Sequence, residues 1–294
     1  MARPVMVAVD GSQGSRAALR WGASLAEVLE APLVAARSWR YPPAGGINPL
    51  QPTMAGPDEV DLLIVEDLRR ILAEELGTAG DHADVVVFRG DAAHALLQGA
   101  SGMAASLLVA GSRGLGGFRA LLLGSVSRTV IDHATLPVAI VRGPKPVRGG
   151  KGGPIVVGVD GSQAASRAVT WAIEVGGRVD AELLLVHAFE AARSELDLGV
   201  IDRLRHNADR VLEEASDQAR AAGMETRIEM PETDARDAIL QIAEREGARM
   251  VVVGTRGLGA VTSMVLGSVA GHLAQHLPSV LIVVPPPDHP TPPA

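Results

Sequence analysis

The chain has 294 residues, 47% of them hydrophobic and 21% charged, the composition of a soluble globular protein long enough for two domains. It contains no cysteine, which excludes disulfides, thiolate metal sites and thiol catalysis, and its net charge of −7 argues against sequence-independent nucleic-acid binding. No apolar run approaches the ~18 residues of a membrane span. The opening Met1-Ala2-Arg3-Pro4-Val5 leads straight into a strand without a signal-peptide h-region, so the cytoplasm is the expected location.

Strands and helices alternate from the start. Val5–Val9 is an apolar strand, and Ser12 is placed to cap a helix running to about Leu29. Pro32–Arg37 is a second strand. Asp61–Leu76 has helical spacing, with Leu62, Val65, Leu68 and Leu72 on one side. Asp84–Phe88 is a third strand, Ala92–Met103 a helix, Ser106–Ala110 a fourth strand, Ser125–His133 a helix and Val138–Arg142 a last strand. The second half repeats the order. Its strands are Ile155–Val159, Glu182–His187, Thr226–Met230, Met250–Val253 and Val280–Val284, and its helices Ser162–Val175, Ile201–Ala222, Asp234–Glu246 and Ser268–His276. Each half therefore reads as an α/β unit with a five-stranded, parallel, doubly wound sheet flanked by helices, a Rossmann-like arrangement.

The boundaries follow from composition. Residues 1–143 form the first domain and 144–153, dense in Pro and Gly, a linker; residues 154–285 form the second domain and 286–294 a disordered Pro-rich tail. The domains are copies. Val9-Asp10-Gly11-Ser12-Gln13 recurs as Val159-Asp160-Gly161-Ser162-Gln163, and Trp21 and Arg37 align with Trp171 and His187. The first half carries the longer insert, Tyr41 to Pro57, against Glu190–Leu198 in the second. Charge is uneven: residues 1–146 hold 13 basic and 14 acidic side chains, residues 147–294 hold 14 and 20.

A glycine pattern also occurs twice. Gly111-x-x-Gly114 is followed after nine residues by Gly124-Ser125-Val126, and Gly254-x-x-Gly257 after nine residues by Gly267-Ser268-Val269. A strand that ends in glycines and leads to a helix start lets backbone approach an anion, and the free N–H groups of the helix favour negative charge. In register with the repeat, the pattern points to two phosphate sites. Neither copy is followed by Lys-Ser or Lys-Thr, so this is no Walker loop, and the glycines follow the fourth strand, which a Rossmann fingerprint would not. Asp10 and Asp160 each stand just past a first strand. Two roles are open for them: a turn that starts the next helix, or acceptance of hydrogen bonds from a ligand such as a ribose. Arg113 and Arg256, inside the loops, either neutralise phosphate or face water. His133 and His276, near helix ends, fit a dipole or packing role better than catalysis.

With Val-Asp-Gly-Ser and the Gly-x-x-Gly, nine-residue, Gly-Ser pattern, the chain resembles the universal stress protein family in its tandem two-domain, ATP-binding form. The resemblance spans nearly the whole chain apart from linker and tail. It implies a five-stranded α/β fold and one ATP per half, and a regulatory role in stress or growth arrest exerted through nucleotide-dependent conformation or partner binding. On this reading Asp10 and Asp160 contact the adenosine end, and Ser38 and Ala188, after the second strands, line the adenine pocket. Gly111, Gly114, Gly124, Ser125 and Val126 cradle ribose and phosphates in the first half; Gly254, Gly257, Gly267, Ser268 and Val269 do so in the second. Mg²⁺ is expected from ATP chemistry alone. The resemblance further implies that last strands pair about a two-fold axis, within the chain at Val138–Val141 and Val280–Val283, and that the chain forms a homodimer and meets a regulatory protein partner. The alternative is a slow ATPase or a nucleotidyl-transferring enzyme, for which no clear base is visible.

Overall fold

The computed structural model describes residues 2–40, 56–114, 123–143, 152–189, 198–257 and 266–287. Most of the insert expected at Tyr41–Pro57, of the linker at 144–153 and of the tail at 286–294 lies outside the described residues, as do 115–122 and 258–265 within the glycine loops.

The first half runs β1 (Val5–Ala8), α1 (Gln13–Val28), β2 (Leu33–Trp39), α2 (Pro57–Leu76), β3 (Asp84–Arg89), α3 (Ala92–Gly102), β4 (Leu107–Gly111), α4 (Ser125–His133) and β5 (Val138–Val141). The second runs β6 (Ile155–Gly158), α5 (Gln163–Val179), β7 (Leu183–Val186), α6 (Leu198–Ala221), β8 (Thr226–Glu229), α7 (Ala235–Arg245), β9 (Met250–Gly254), α8 (Ser268–His276) and β10 (Val280–Val284). Helix starts carry their expected caps: Ser12 Oγ accepts from Ser15 N–H and Ser162 Oγ from Ala165 N–H, each at 3.1 Å.

All ten strands form one sheet in the order β3-β2-β1-β4-β5-β10-β9-β6-β7-β8. Pairing is parallel within each half. The halves meet at β5 and β10, which run antiparallel with Val138 opposite Val283 and Val141 opposite Val280, as the resemblance implied. Each half therefore has the order 3-2-1-4-5, whose direction reverses between β1 and β4 in one and β6 and β9 in the other, the place where doubly wound sheets hold ligands.

The apolar runs are continuous because both faces of the sheet are covered. Val5, Val7 and Val109 pack with α1 and α2 residues such as Trp21, Leu68 and Ile71, while Met6, Leu108 and Ile140 pack on the other face with Leu96, Leu97 and Ile131. The strand period of two sorts neighbours to opposite layers. With so few aromatics the layers are built from Val, Leu, Ile and Ala.

Two expectations need correction. Leu62 is 70% exposed and not on the core side of α2; the packed stripe is Ile64, Leu68, Ile71 and Leu72. α2 also begins earlier, at Pro57, with Asp58 and Glu59 in its first turn. A 3-10 helix, Gly77–His82, follows it without an apolar period to announce it. No described helix is long and apolar enough to cross a membrane.

Candidate functional site

Past β1 the chain turns sharply. Asp10 Oδ1 accepts the Ser12 N–H at 2.9 Å, and Gly11 takes φ +88°, a conformation that side chains disfavour. The second half repeats this turn, with Asp160 Oδ1 to Ser162 N–H at 2.9 Å and Gly161 at φ +82°. The Asp-Gly-Ser segment therefore does start a helix.

The same segment also meets the glycine loop. Ser12 Oγ donates to the Arg113 carbonyl at 3.4 Å, and Ser162 Oγ to the Arg256 carbonyl at 3.2 Å. A Cβ on Gly114 would fall on Asp10 Oδ2, and one on Gly257 on Asp160 Oδ2, closer than atoms can pack. Each aspartate thus lies directly against the second glycine of its loop.

The glycines have different reasons. Gly111 and Gly254 are the last residues of β4 and β9, in register with Val141 and Val284, and do not lie past the strand ends. A Cβ on Gly111 would stand 2.5 Å from the Gly14 carbonyl carbon, and one on Gly254 would stand 2.7 Å from Ala164 Cβ. These two positions are small because a helix's first turn packs on the strand end. Gly124 differs: a Cβ there would meet no described atom nearer than 3.5 Å, and its φ of −70° suits any residue. Its amide is engaged by the Ser112 carbonyl at 2.8 Å, as Gly267 N–H is by Thr255 at 2.7 Å. The donors left for an anion are therefore those of the first helical turn, from Ser125 and Ser268 onward. No side chain caps α4 or α8, in contrast to α1, α3, α5 and α7, capped by Ser12, Asp91, Ser162 and Asp234.

In the second half these groups enclose a cavity of about 430 Å³. All seven residues chosen there from sequence, Asp160, Ala188, Gly254, Gly257, Gly267, Ser268 and Val269, line it, together with apolar Val186, Ile239 and Val253 and with Thr255 and Arg256. A further cavity of about 360 Å³ shares Ala188, Ala235, Ser268 and Val269 with it and opens toward Asp234 and Arg236, which form an ion pair. The first half brings Asp10, Gly111, Gly114 and the Gly124-Ser125-Val126 helix start into the same relation. Ser38 does not follow its strand: pairing with Phe88 carries β2 on to Trp39, whereas β7 ends at Val186 and leaves Ala188 beyond it.

Several residues were missed from sequence. Arg142, after β5, donates to the Gln275 carbonyl at 2.6 Å and to Ala274 at 3.2 Å, binding the C-terminal end of α8 across the seam. Burial, and then the charge of Arg113, lower its pKa. Arg37 donates through Nε to the Val9 carbonyl at 2.7 Å and pairs with Asp67. Its counterpart His187 hydrogen-bonds Val159, and burial holds its pKa below the ordinary imidazole value. Ser127 Oγ donates to the Gly111 carbonyl at 2.7 Å. Ser127 and Thr255 lie within two residues of the glycine pattern, so the neighbourhood was the available signal. His133 and His276 sit in last helical turns with Nδ1 on the carbonyls of Thr129 and His272. Among the described residues no three His, Asp or Glu side chains gather as a metal ion would require.

A doubly wound unit occurring twice, with an Asp turn closed on a glycine loop, defines a class of tandem α/β proteins with paired crevices. Comparison with known proteins gives the class its name. The universal stress protein family matches residues 1–142 and 153–285, and the chain belongs to that family. It is 29% identical over 302 residues to a universal stress protein of Mycolicibacterium smegmatis, covering 96% of this chain and 97% of that one. It is 29% identical over 298 residues to one of Mycobacterium tuberculosis, covering 95% of each chain. Among solved structures, a universal stress protein from Archaeoglobus fulgidus shares the fold with a TM-score of 0.68 at 22% identity, covering 97% of both chains.

Proposed function

We propose that the protein is a regulatory nucleotide-binding protein that takes one ATP in each half, and that occupancy sets the conformation or partner binding it uses in a stress or growth-arrest response. The observation that carries this reading is the second-half cavity. It combines an uncapped helix N-terminus, a glycine loop and Arg256 with a carboxylate at Asp160 and an apolar wall. Such a site suits a ligand with an anionic end, a hydroxylated middle and a flat apolar part. In this reading Ser268 and Val269 N–H groups face the phosphates and Asp160 accepts from the ribose; Mg²⁺ would accompany the phosphates. The homodimer implied by the family resemblance would need a surface other than the last strands, because β5 and β10 are paired within the chain.

The test is to denature the purified protein, before and after equilibration with ATP and desalting, and identify the released nucleotide by mass. Adenine nucleotide in near-stoichiometric amount is expected. Its absence in both samples would contradict the proposal.

A further inference from the structure

Thr255 follows Gly254 at the end of β9 and is 1% exposed, yet its Oγ1 has no hydrogen-bond partner. Native proteins keep few buried hydroxyls in that state, because the lost hydration is not replaced. Its backbone is fully used: the N–H donates to Val284 at 2.9 Å and the carbonyl accepts from Gly267 at 2.7 Å. Thr255 lines the 430 Å³ cavity beside Arg256 and the start of α8.

The two halves handle this place differently. The first has Ser112 there, and Ser127 Oγ ties α4 to the Gly111 carbonyl at 2.7 Å. The residue matching Ser127 is Ala270, so the second half lacks that tie; Ser112 and Thr255 are both buried, and of the two hydroxyls it is that of Thr255 that is left buried and unpaired.

We infer that the Thr255 hydroxyl is a ligand-binding group of the second-half cavity, uncovered as the nucleotide enters and donating a hydrogen bond to one of its phosphoryl oxygens. The chemistry favours a phosphoryl oxygen because the neighbouring groups, the α8 N-terminus and Arg256, both attract an acceptor-only anion. The inference rests on the nucleotide reading.

The unaltered chain, Thr255→Val, Thr255→Ser and Gly257→Ala are titrated calorimetrically with ATP and, separately, with adenosine, and the Tm of each nucleotide-free protein is measured. In Thr255→Val one of the two ATP binding events weakens about tenfold, adenosine affinity is unchanged, and Tm holds or rises because an unpaired hydroxyl has been replaced by an isosteric methyl. Thr255→Ser keeps ATP affinity. Unchanged ATP affinity in Thr255→Val while Gly257→Ala loses a site overturns the inference and leaves the nucleotide reading standing. A lowered Tm with unchanged affinity assigns the hydroxyl a structural role and also overturns it. Absence of ATP binding to the unaltered chain overturns both.

Discussion

Gly111 and Gly124 belong to one motif yet answer to different constraints. Gly111 is fixed by packing, since a side chain there would press into the Gly14 backbone, whereas Gly124 has room for a methyl group. Gly111→Ala should therefore destabilise the protein by about 1–3 kcal/mol through overpacking. Gly124→Ala should cost under about 1 kcal/mol. Urea denaturation measures both, and equal losses would contradict the division. The motif's spacing was legible in the sequence, but this division of labour was not. It depends on which helix turn lies against which strand end, a distance set by tertiary packing. The double duty of Asp10 was legible only as two alternatives. The structure shows the turn through Oδ1 and the contact with Gly114 through Oδ2 on one carboxylate.

The order of strands and α-helices was readable because the inner strands are short apolar runs buried between helix layers, and the edge strands β3 and β8, only partly buried, keep the same place in both halves. Boundaries failed where a second signal had to be weighed. Pro57, Asp58 and Glu59 form a good helix start, but reading α2 from its apolar spacing placed the start at Asp61 and put Leu62 on the same side as Leu68 and Leu72. Nor did spacing reveal the clamp between α1 and α2, where Arg16 bonds Glu74 and Glu75 at 2.8 Å and Arg20 also pairs with Glu75. Burial tends to raise the Glu75 pKa, but the hydrogen bonds from Arg16 and Arg20 outweigh it, leaving the pKa below the ordinary carboxylate value. A carboxylate whose folded pKa is depressed contributes stability above its unfolded pKa, ~4.3 for Glu, and loses it as pH falls through the folded value. Glu75→Gln should thus cost about 1–2 kcal/mol at pH 7, and the difference should vanish in acid below the folded pKa. Denaturation curves at the two pH values check this; an equal gap at both would contradict it.

At the scale of the molecule, the antiparallel seam of β5 and β10 fixes where the two crevices lie. Strands within a half are parallel, so the carboxyl ends of the two halves point to opposite edges of the ten-stranded sheet. The sites are built from separate residues and share no side chain that the sequence pattern selected. α8 still reaches both edges: its first residues line the second-half cavity, and its last carbonyls are held by Arg142 beside the first-half loop. Duplication was legible from the repeated Asp-Gly-Ser and glycine patterns, and family resemblance supplied the seam. Arg142 was not legible, because the matching place in the second half is Pro285 and a comparison of repeats hides what only one copy has.

The central claim is one nucleotide site per half, and calorimetric titration of the full chain with ATP tests it most directly. Expected are two ATP bound per chain, one for Gly114→Ala or Gly257→Ala alone, and none for the double variant, because each added methyl would displace an aspartate that lies against its loop. A stoichiometry of zero for the unaltered chain, or two ATP still bound by the double variant, would contradict it.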